Sequence, residues 1–342
     1  MKRALFRCDA SPTLGAGHVM RCLTLADALA ARGWTCAFAS TSETAATTPA
    51  LARSPFQNIV LAAPHDGAAL AAAAGSGWDL IVFDHYGLGQ AHETSCRPQT
   101  ASLMAIDDLA DRRHDVDLLL DQTFARTPDA YQGLVPDHAL ILSGSQFALL
   151  RPAFAAARPA TLARRAAPGS ARRVLVSLGY TDVGAITAAV AHALARVLGD
   201  AACDLVIGPA APSRPALKAL CAQDARFRLH IDPADIAALM TAADVALGAA
   251  GATSWERCCL GLPSVILTLA DNQRLAAHRL QDAGAARMAD DPAGAARMLA
   301  SLMADQAART DMAQAAAAVC DGAGAARVAD AIEALPRRRR AA

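Results

Sequence analysis

The chain has 342 residues, 54% of them apolar but only 4% aromatic, so alanine supplies much of the core and two compact α/β units are the natural division. Lysine plus arginine balances aspartate plus glutamate at 32 each; no overall field recruits nucleic acid or an anionic membrane, and any anion site must be local. Nine cysteines form no Cys-x-x-Cys pair, which reads as reduced, cytosolic usage, and the apolar run after Lys2-Arg3 is too short for a signal peptide. Residues 236–255 come nearest to a membrane span, but their Ala, Gly, Thr and Asp244 read as helix, strand and turn in a soluble core.

Residues 5–9 read as a buried first strand. The loop Ser11-Pro12-Thr13-Leu14-Gly15-Ala16-Gly17-His18 follows, then a helix over residues 19–31 with Val19, Cys22, Leu23, Leu25, Ala26 and Leu29 on one side. Strand, glycine loop and helix is the order of a nucleotide fold, although Gly15-x-Gly17 lacks the third glycine of a dinucleotide fingerprint. His18 stands where the loop enters the helix, at the edge where open parallel sheets bind ligands. A histidine there suits a general base; a helix-entry histidine bonded to a neighbouring loop is the structural alternative. Residues 36–39 and 59–61 are short strands, and 80–83 is a strand ending in Asp84-His85-Tyr86-Gly87. Asp84 and Tyr86 thus reach the same edge and either line a sugar pocket or make the turn.

The strand 102–106 leads into Asp107-Asp108-Leu109-Ala110-Asp111-Arg112-Arg113. Several carboxylates suit a magnesium–diphosphate clamp in type, but these follow a strand and stand beside two arginines, so no metal is assigned. Strands at 118–121 and 140–142 complete this half. Residues 158–173 hold five arginines, two prolines and a glycine, with no interleaved aromatics that would suit RNA, and read as a surface connection between domains.

The second half alternates again: strand 174–177, glycine turn Leu178-Gly179-Tyr180-Thr181-Asp182, helix 185–198, strand 203–208, a helix after Pro215, strand 227–230, helix 236–242 and strand 243–247. Then comes Gly248-Ala249-Ala250-Gly251-Ala252-Thr253-Ser254-Trp255-Glu256-Arg257, leading into a helix with Thr253 or Ser254 as N-cap. Small residues let the backbone approach a ligand and first-turn amides point at it, which makes a phosphate cradle. Glu256 either closes a capping box or reaches the two hydroxyls of a ribose. The strand 264–267 delivers Asn272 and Gln273, whose amides suit a base, ribose or sugar, although Asn272 can equally cap a helix starting near Arg274. Ala-rich helices run to Ala334, and Arg337 to Arg340 read as a disordered tail.

Taken together, Cys8-Asp9-Ala10-Ser11, Gly15-Ala16-Gly17-His18-Val19-Met20-Arg21-Cys22-Leu23, Asp84-His85-Tyr86, Ile106-Asp107-Asp108-Leu109-Ala110, residues 118–122, Leu150-Arg151-Pro152, Trp255-Glu256-Arg257 and residues 267–273 occur in an order that carries a family likeness. The chain resembles the UDP-2,4-diacetamido-2,4,6-trideoxy-β-L-altropyranose hydrolases of bacterial pseudaminic acid synthesis, over residues 3 to 290. The resemblance implies an α/β fold of the GT-B type, two Rossmann-like domains with parallel sheets facing across a cleft. It implies a sugar-side domain at 1–155, a linker at 156–172, a UDP-binding domain at 173–335 and a basic tail at 336–342.

The activity so implied is attack of water at the anomeric carbon with inversion, releasing UDP. His18 is then the base, and Gly15, Gly17, Arg21, Asp84, Tyr86, Gly179, Gly251, Thr253, Glu256, Asn272 and Gln273 hold the substrate. No metal or other cofactor is implied. The expectation is a cytoplasmic monomer acting on a small UDP-sugar, with no nucleic-acid or membrane partner. A glycosyltransferase on the same scaffold and a non-catalytic UDP-sugar-binding module are the alternatives. Two departures bear on the diphosphate: Tyr180 stands where the family has a second glycine, and Ala250 and Ala252 replace residues that are often glycine and a hydroxyl residue.

Overall fold

The computed structural model describes residues 1–62 and 67–336 and divides into two compact units, one of Met1–Leu149 with the stretch from Ala323 onward, the other of Leu150–Gly322. The Arg337 to Arg340 tail lies outside the described residues.

The first unit holds β1 (Arg3–Cys8), α1 (Gly17–Ala30), β2 (Thr35–Thr41), α2 (Ser42–Thr47), α3 (Pro49–Arg53), β3 (Gln57–Leu61), α4 (Gly67–Ala74), β4 (Trp78–Asp84), α5 (Gln90–Cys96), β5 (Thr100–Ile106), β6 (Leu118–Asp121) and β7 (Leu140–Ser143). Its strands form one parallel sheet in the order β3-β2-β1-β4-β5-β6-β7. Parallel strands are covered on both faces, so they need apolar side chains at successive positions. In β1, Phe6 joins the core formed with α1, Phe38 and Val82, while Leu5 joins the opposite core of Ile81, Phe83 and Leu103.

The second unit holds α6 (Pro152–Ala166), β8 (Arg173–Ser177), α7 (Ile186–Ala195), β9 (Ala202–Ile207), α8 (Arg214–Gln223), β10 (Phe227–Ile231), α9 (Ile236–Ala242), β11 (Val245–Ala249), α10 (Thr253–Cys259), β12 (Ser264–Leu267), α11 (Arg274–Asp282), β13 (Arg287–Ala289), α12 (Pro292–Ala304) and α13 (Gln306–Val319). Its parallel sheet runs β10-β9-β8-β11-β12-β13. Both sheets are therefore of the Rossmann type, and the α/β expectation holds.

Two parts of the chain depart from the sequence expectation. Residues 156–172 are not a connection between units, because most of them belong to α6, whose arginines are struts within the second unit. Arg158 donates to the carbonyls of Cys259, Ala317 and Cys320, and Arg165 donates to those of Met240, Ala243 and Leu260. These carbonyls lie at the ends of α9, α10 and α13, where helices leave acceptors unpaired and favour positive charge. Burial, with the adjacent charge of Arg164, pushes the Arg165 guanidinium down to about 9.

The second departure is the last helix. Helix α14 (Gly324–Ala334) belongs with the first unit, where Val328, Ala329 and Ile332 join the core that includes α1. It starts so close to the backbone of Ala148 that a methyl group on Gly324 would collide with it.

In each sheet the strand order reverses at one place, between β1 and β4 and between β8 and β11. Open α/β sheets bind ligands at the carboxyl ends of the strands flanking such a reversal, because the connections leave to opposite faces and open a crevice.

Ile332, 4% exposed, anchors α14. Ile332→Ala is expected to cost about 2–4 kcal/mol in urea denaturation, and a loss below about 0.5 kcal/mol would show that α14 is not part of the first unit's core.

Candidate active site

In the first unit, His18 is the second residue of α1, which begins two residues earlier than its apolar pattern suggests. The loop before it is closed by Gly15, whose amide donates to the Ser11 carbonyl at 2.8 Å and whose φ of 80° suits a residue without a side chain. Gly17 opens the helix, with Ala16 as an N-cap that has no side-chain bond.

His18 is 5% exposed, and its Nδ1 lies 2.5 Å from Oδ1 of Asp84 at the end of β4. Asp84 is fully buried and takes a fork from Arg21, Nε to Oδ2 at 2.7 Å and Nη2 to Oδ1 at 2.6 Å. Burial opposes its charge, but Arg21 and His18 outweigh burial and hold the carboxyl well below the usual carboxylate range. An ionised carboxylate only accepts, so Nδ1 of His18 carries the hydrogen and Nε2 is the basic nitrogen. The ring of Tyr86 meets that of His18 edge-on, with centroids 4.6 Å apart.

Asp84 and Arg21, expected to touch substrate, are buried and bonded within the first unit. Both carboxylate oxygens of Asp84 are engaged within the protein, and Cys22 adds a thiol bond to Oδ2 at 3.4 Å. Arg21, 6% exposed, is spent on Asp84 and on Asp108, whose Oδ2 is 3.0 Å from Nη1. Although burial works against its charge, Asp84 and then Asp108 hold Arg21 well above its ordinary value. The two residues are engaged with His18 and with each other.

The Asp107-Asp108 run is built into ion pairs as well. Arg112 Nη1 stands 2.7 Å from Asp107 Oδ1, and Tyr131 donates to Asp107 Oδ2 at 3.0 Å.

In the second unit, the turn after β8 contains Gly179, whose φ is 115°. The ring of Tyr180 lies against Gly208, where an added methyl group would collide with it, and its carbonyl accepts from the Gly208 amide at 2.9 Å. The bulky residue is thus packed onto the end of β9. Across the strand reversal, β11 runs into Gly251, with open space where a side chain would sit, and then into α10. The N-cap of α10 is Ala252, without a side-chain bond, not Thr253 or Ser254. Thr253 is the first helical residue, and its Oγ1 accepts from Arg257 Nη1 at 3.2 Å.

Glu256 forms no capping box. Its carboxylate faces Arg151 Nη2 at 3.5 Å within the same unit, and burial raises its pKa against the pull of Arg151 and Arg257. Gln273 bonds its own turn, accepting from the Leu269 amide at 3.2 Å, and is itself the uncapped N-cap of α11, so Asn272 is exposed one residue ahead of that cap.

Arg257 is the residue here that sequence reading left without a role. It is 2% exposed and has no carboxylate within ion-pair distance among the described residues; it donates to Ala249 O at 2.8 Å and Ser254 Oγ at 3.1 Å. Its guanidinium occupies the space beside Gly248, which explains that glycine, since a methyl group there would collide with Nη1. A glutamate–arginine pair in a short helix signals surface charge by composition, which does not reveal that Arg257 is buried.

No family model matches the chain. It is 29% identical over 154 residues to the spore coat polysaccharide biosynthesis protein SpsG of Bacillus subtilis, covering 44% of each. It is 27% identical over 154 residues to the UDP-2,4-diacetamido-2,4,6-trideoxy-β-L-altropyranose hydrolase of Campylobacter jejuni, covering 44% of this chain and 53% of the relative. The match thus spans about half the length of these relatives. In fold it is similar to MurG of Acinetobacter baumannii, with a TM-score of 0.66 at 17% identity over 97% of this chain and 99% of the other. No helix among the described residues is long and apolar enough to cross a membrane.

Asp84 has a folded pKa below its ordinary 3.8, so the stability it contributes is complete above about pH 4 and is lost as the pH falls through the folded value. Asp84→Asn is therefore expected to cost about 3 kcal/mol at pH 7, with the gap to the native protein narrowing below pH 3.8. Urea titrations of both proteins at pH 7 and at the lowest pH where they fold check this, and an equal gap at the two would contradict it.

Proposed function

We propose that the chain is a UDP-sugar hydrolase and that its substrate is a UDP-2,4-diacetamido-2,4,6-trideoxy sugar, UDP-2,4-diacetamido-2,4,6-trideoxy-β-L-altropyranose in the first instance. The observation that carries the reading is the His18–Asp84 pair at the strand reversal of the first unit. The resemblance to the Campylobacter jejuni hydrolase supports the substrate class.

UDP is already a good leaving group, so two tasks remain: aiming a water at the anomeric carbon and stabilising charge on the departing β-phosphate. The first falls to His18. With Nδ1–H held by Asp84, Nε2 accepts a proton from water as the oxygen attacks carbon, and the imidazolium so formed is stabilised by the carboxylate. General-base assistance of this kind is typically worth roughly 10² to 10⁴ in rate. Attack from the face opposite UDP inverts the anomeric centre. Tyr86, against the His18 ring, fixes the imidazole plane and borders the sugar.

The second task falls to the second unit. The backbone around Gly251 to Thr253 receives the diphosphate, helped by the hydroxyl of Thr253 and by the positive charge of Arg257 beneath the turn. Glu256 receives the ribose hydroxyls, while Gly179, Asn272 and Gln273 border the nucleotide. Gly15 and Gly17 shape the loop that delivers His18. No step in this chemistry calls on a metal.

Incubation with the UDP-diacetamido sugar and no acceptor is expected to release UDP and free sugar at equal rates. His18→Ala should lose at least 10²-fold in turnover while binding UDP as the native protein does, measured by calorimetry. Release that begins only when a sugar or lipid hydroxyl is supplied would make the chain a glycosyltransferase, and UDP binding with no turnover would make it a binding module. Activity is expected to persist in EDTA; loss in chelator with recovery on adding magnesium would overturn the metal-free account.

A further inference from the structure

Around His18 the charged and titratable groups come from four places. Asp84 ends β4, Arg21 and Cys22 lie one turn along α1, Tyr86 follows β4, and Asp108 follows β5. Cys8 at the end of β1 adds a contact to Cys22. The neighbouring Asp9 forms a separate knot, 2.6 Å from Arg7 Nη2 and 3.6 Å from His85 Nε2.

Within the first group the contacts run in a line. His18 meets Asp84 at 2.5 Å, Arg21 Nη2 meets Asp84 Oδ1 at 2.6 Å, and Arg21 Nη1 meets Asp108 Oδ2 at 3.0 Å. Arg21 Nη2 also comes within 3.2 Å of His18 Nδ1, so the guanidinium, the imidazole and Asp84 share one small enclosed volume.

Two carboxylates and one guanidinium leave this line one negative charge in excess while the imidazole is neutral, and balanced when it is protonated. Among the described residues, the nearest arginines outside the line are engaged elsewhere. Arg126 reaches Asp108 only at its backbone carbonyl, 2.9 Å away, and its own Nε faces Asp121 at 2.7 Å. Arg112 faces Asp107 and Asp111. The second oxygen of Asp108, Oδ1, is buried with no hydrogen-bond partner among the described residues, so the Arg21 contact at Oδ2 is the carboxylate's ion pair there.

We propose that Asp108 is a positioning residue that raises the basicity of His18 through Arg21, by making the four-group line electrically balanced only in the imidazolium state. Arg21 alone beside Asp84 would cancel its charge and leave His18 little reason to accept a proton. Asp108 takes up that guanidinium from its other side and returns the net negative charge to the pocket. The assignment rests on the hydrolase reading only for its effect on turnover; its effect on His18 stands apart from it.

The test is a pH titration of the full-length protein labelled with ¹⁵N-histidine, with the His18 signals identified by their absence in His18→Gln. A charge one guanidinium away from the ring moves a titration midpoint by about one pH unit. Asp108→Asn is expected to lower the His18 midpoint by that amount, and Asp108→Glu, which keeps the charge, to leave it near the native value. Asp108→Ser reads the same charge loss should the asparagine variant misfold. A native midpoint in the neutral variants, or equal shifts in Asp108→Asn and Asp108→Glu, would overturn the proposal.

If the native protein turns over UDP-sugar, the acid limb of kcat/KM should fall with the midpoint in Asp108→Asn. If the midpoint moves but the native protein has no turnover, the assignment of Asp108 stands and the hydrolase reading fails.

Discussion

A fully buried carboxylate, Asp84, sits where the first sheet reverses its strand order, and the arrangement around it follows from the cost of that burial. An isolated charge there would be far too expensive. Arg21 approaches from α1 and covers both oxygens, and His18, one helical turn earlier on the same face, takes the remaining direction. The spacing of three residues between His18 and Arg21, together with the glycine loop that starts α1 at Gly17, places both side chains on one carboxylate. The orientation of His18 and the stability of the first unit thus share a set of contacts, so a change at Asp84 disturbs both.

The second unit solves a different problem. Its strand reversal holds a buried guanidinium, Arg257, whose terminal nitrogens donate to a carbonyl and two hydroxyls. Burial lowers its pKa accordingly. Gly248 makes room for it, and Gly251 leaves the turn open. One unit therefore presents an imidazole held by a carboxylate, and the other a cation beneath a turn of small residues.

Most of the framework was legible in the sequence because parallel strands must be largely apolar on both faces, so twelve of the thirteen strands among the described residues stand out as short, mostly apolar runs. The exception, β13, is three residues long and lies among alanines that read as helix. Charged residues were harder. The arginines of α6 looked like a solvated connection because composition cannot show that Arg158 and Arg165 bond the carbonyl ends of α9, α10 and α13. Asp108 was weighed only as a metal ligand, since its partner Arg21 lies 87 residues away. Asp84 reads in the sequence as a sugar-pocket or turn residue, because its contact with His18 spans 66 residues. Tyr180 reads as a bulky intruder in the glycine turn, but its ring rests on Gly208.

The central claim is that water attacks carbon, not phosphorus. Single-turnover reaction in H₂¹⁸O, with both products analysed by mass spectrometry, tests it most directly. The account requires the label on the anomeric oxygen of the released sugar and none in UDP. Label in the phosphate of UDP would place the attack at phosphorus and contradict the role given to His18.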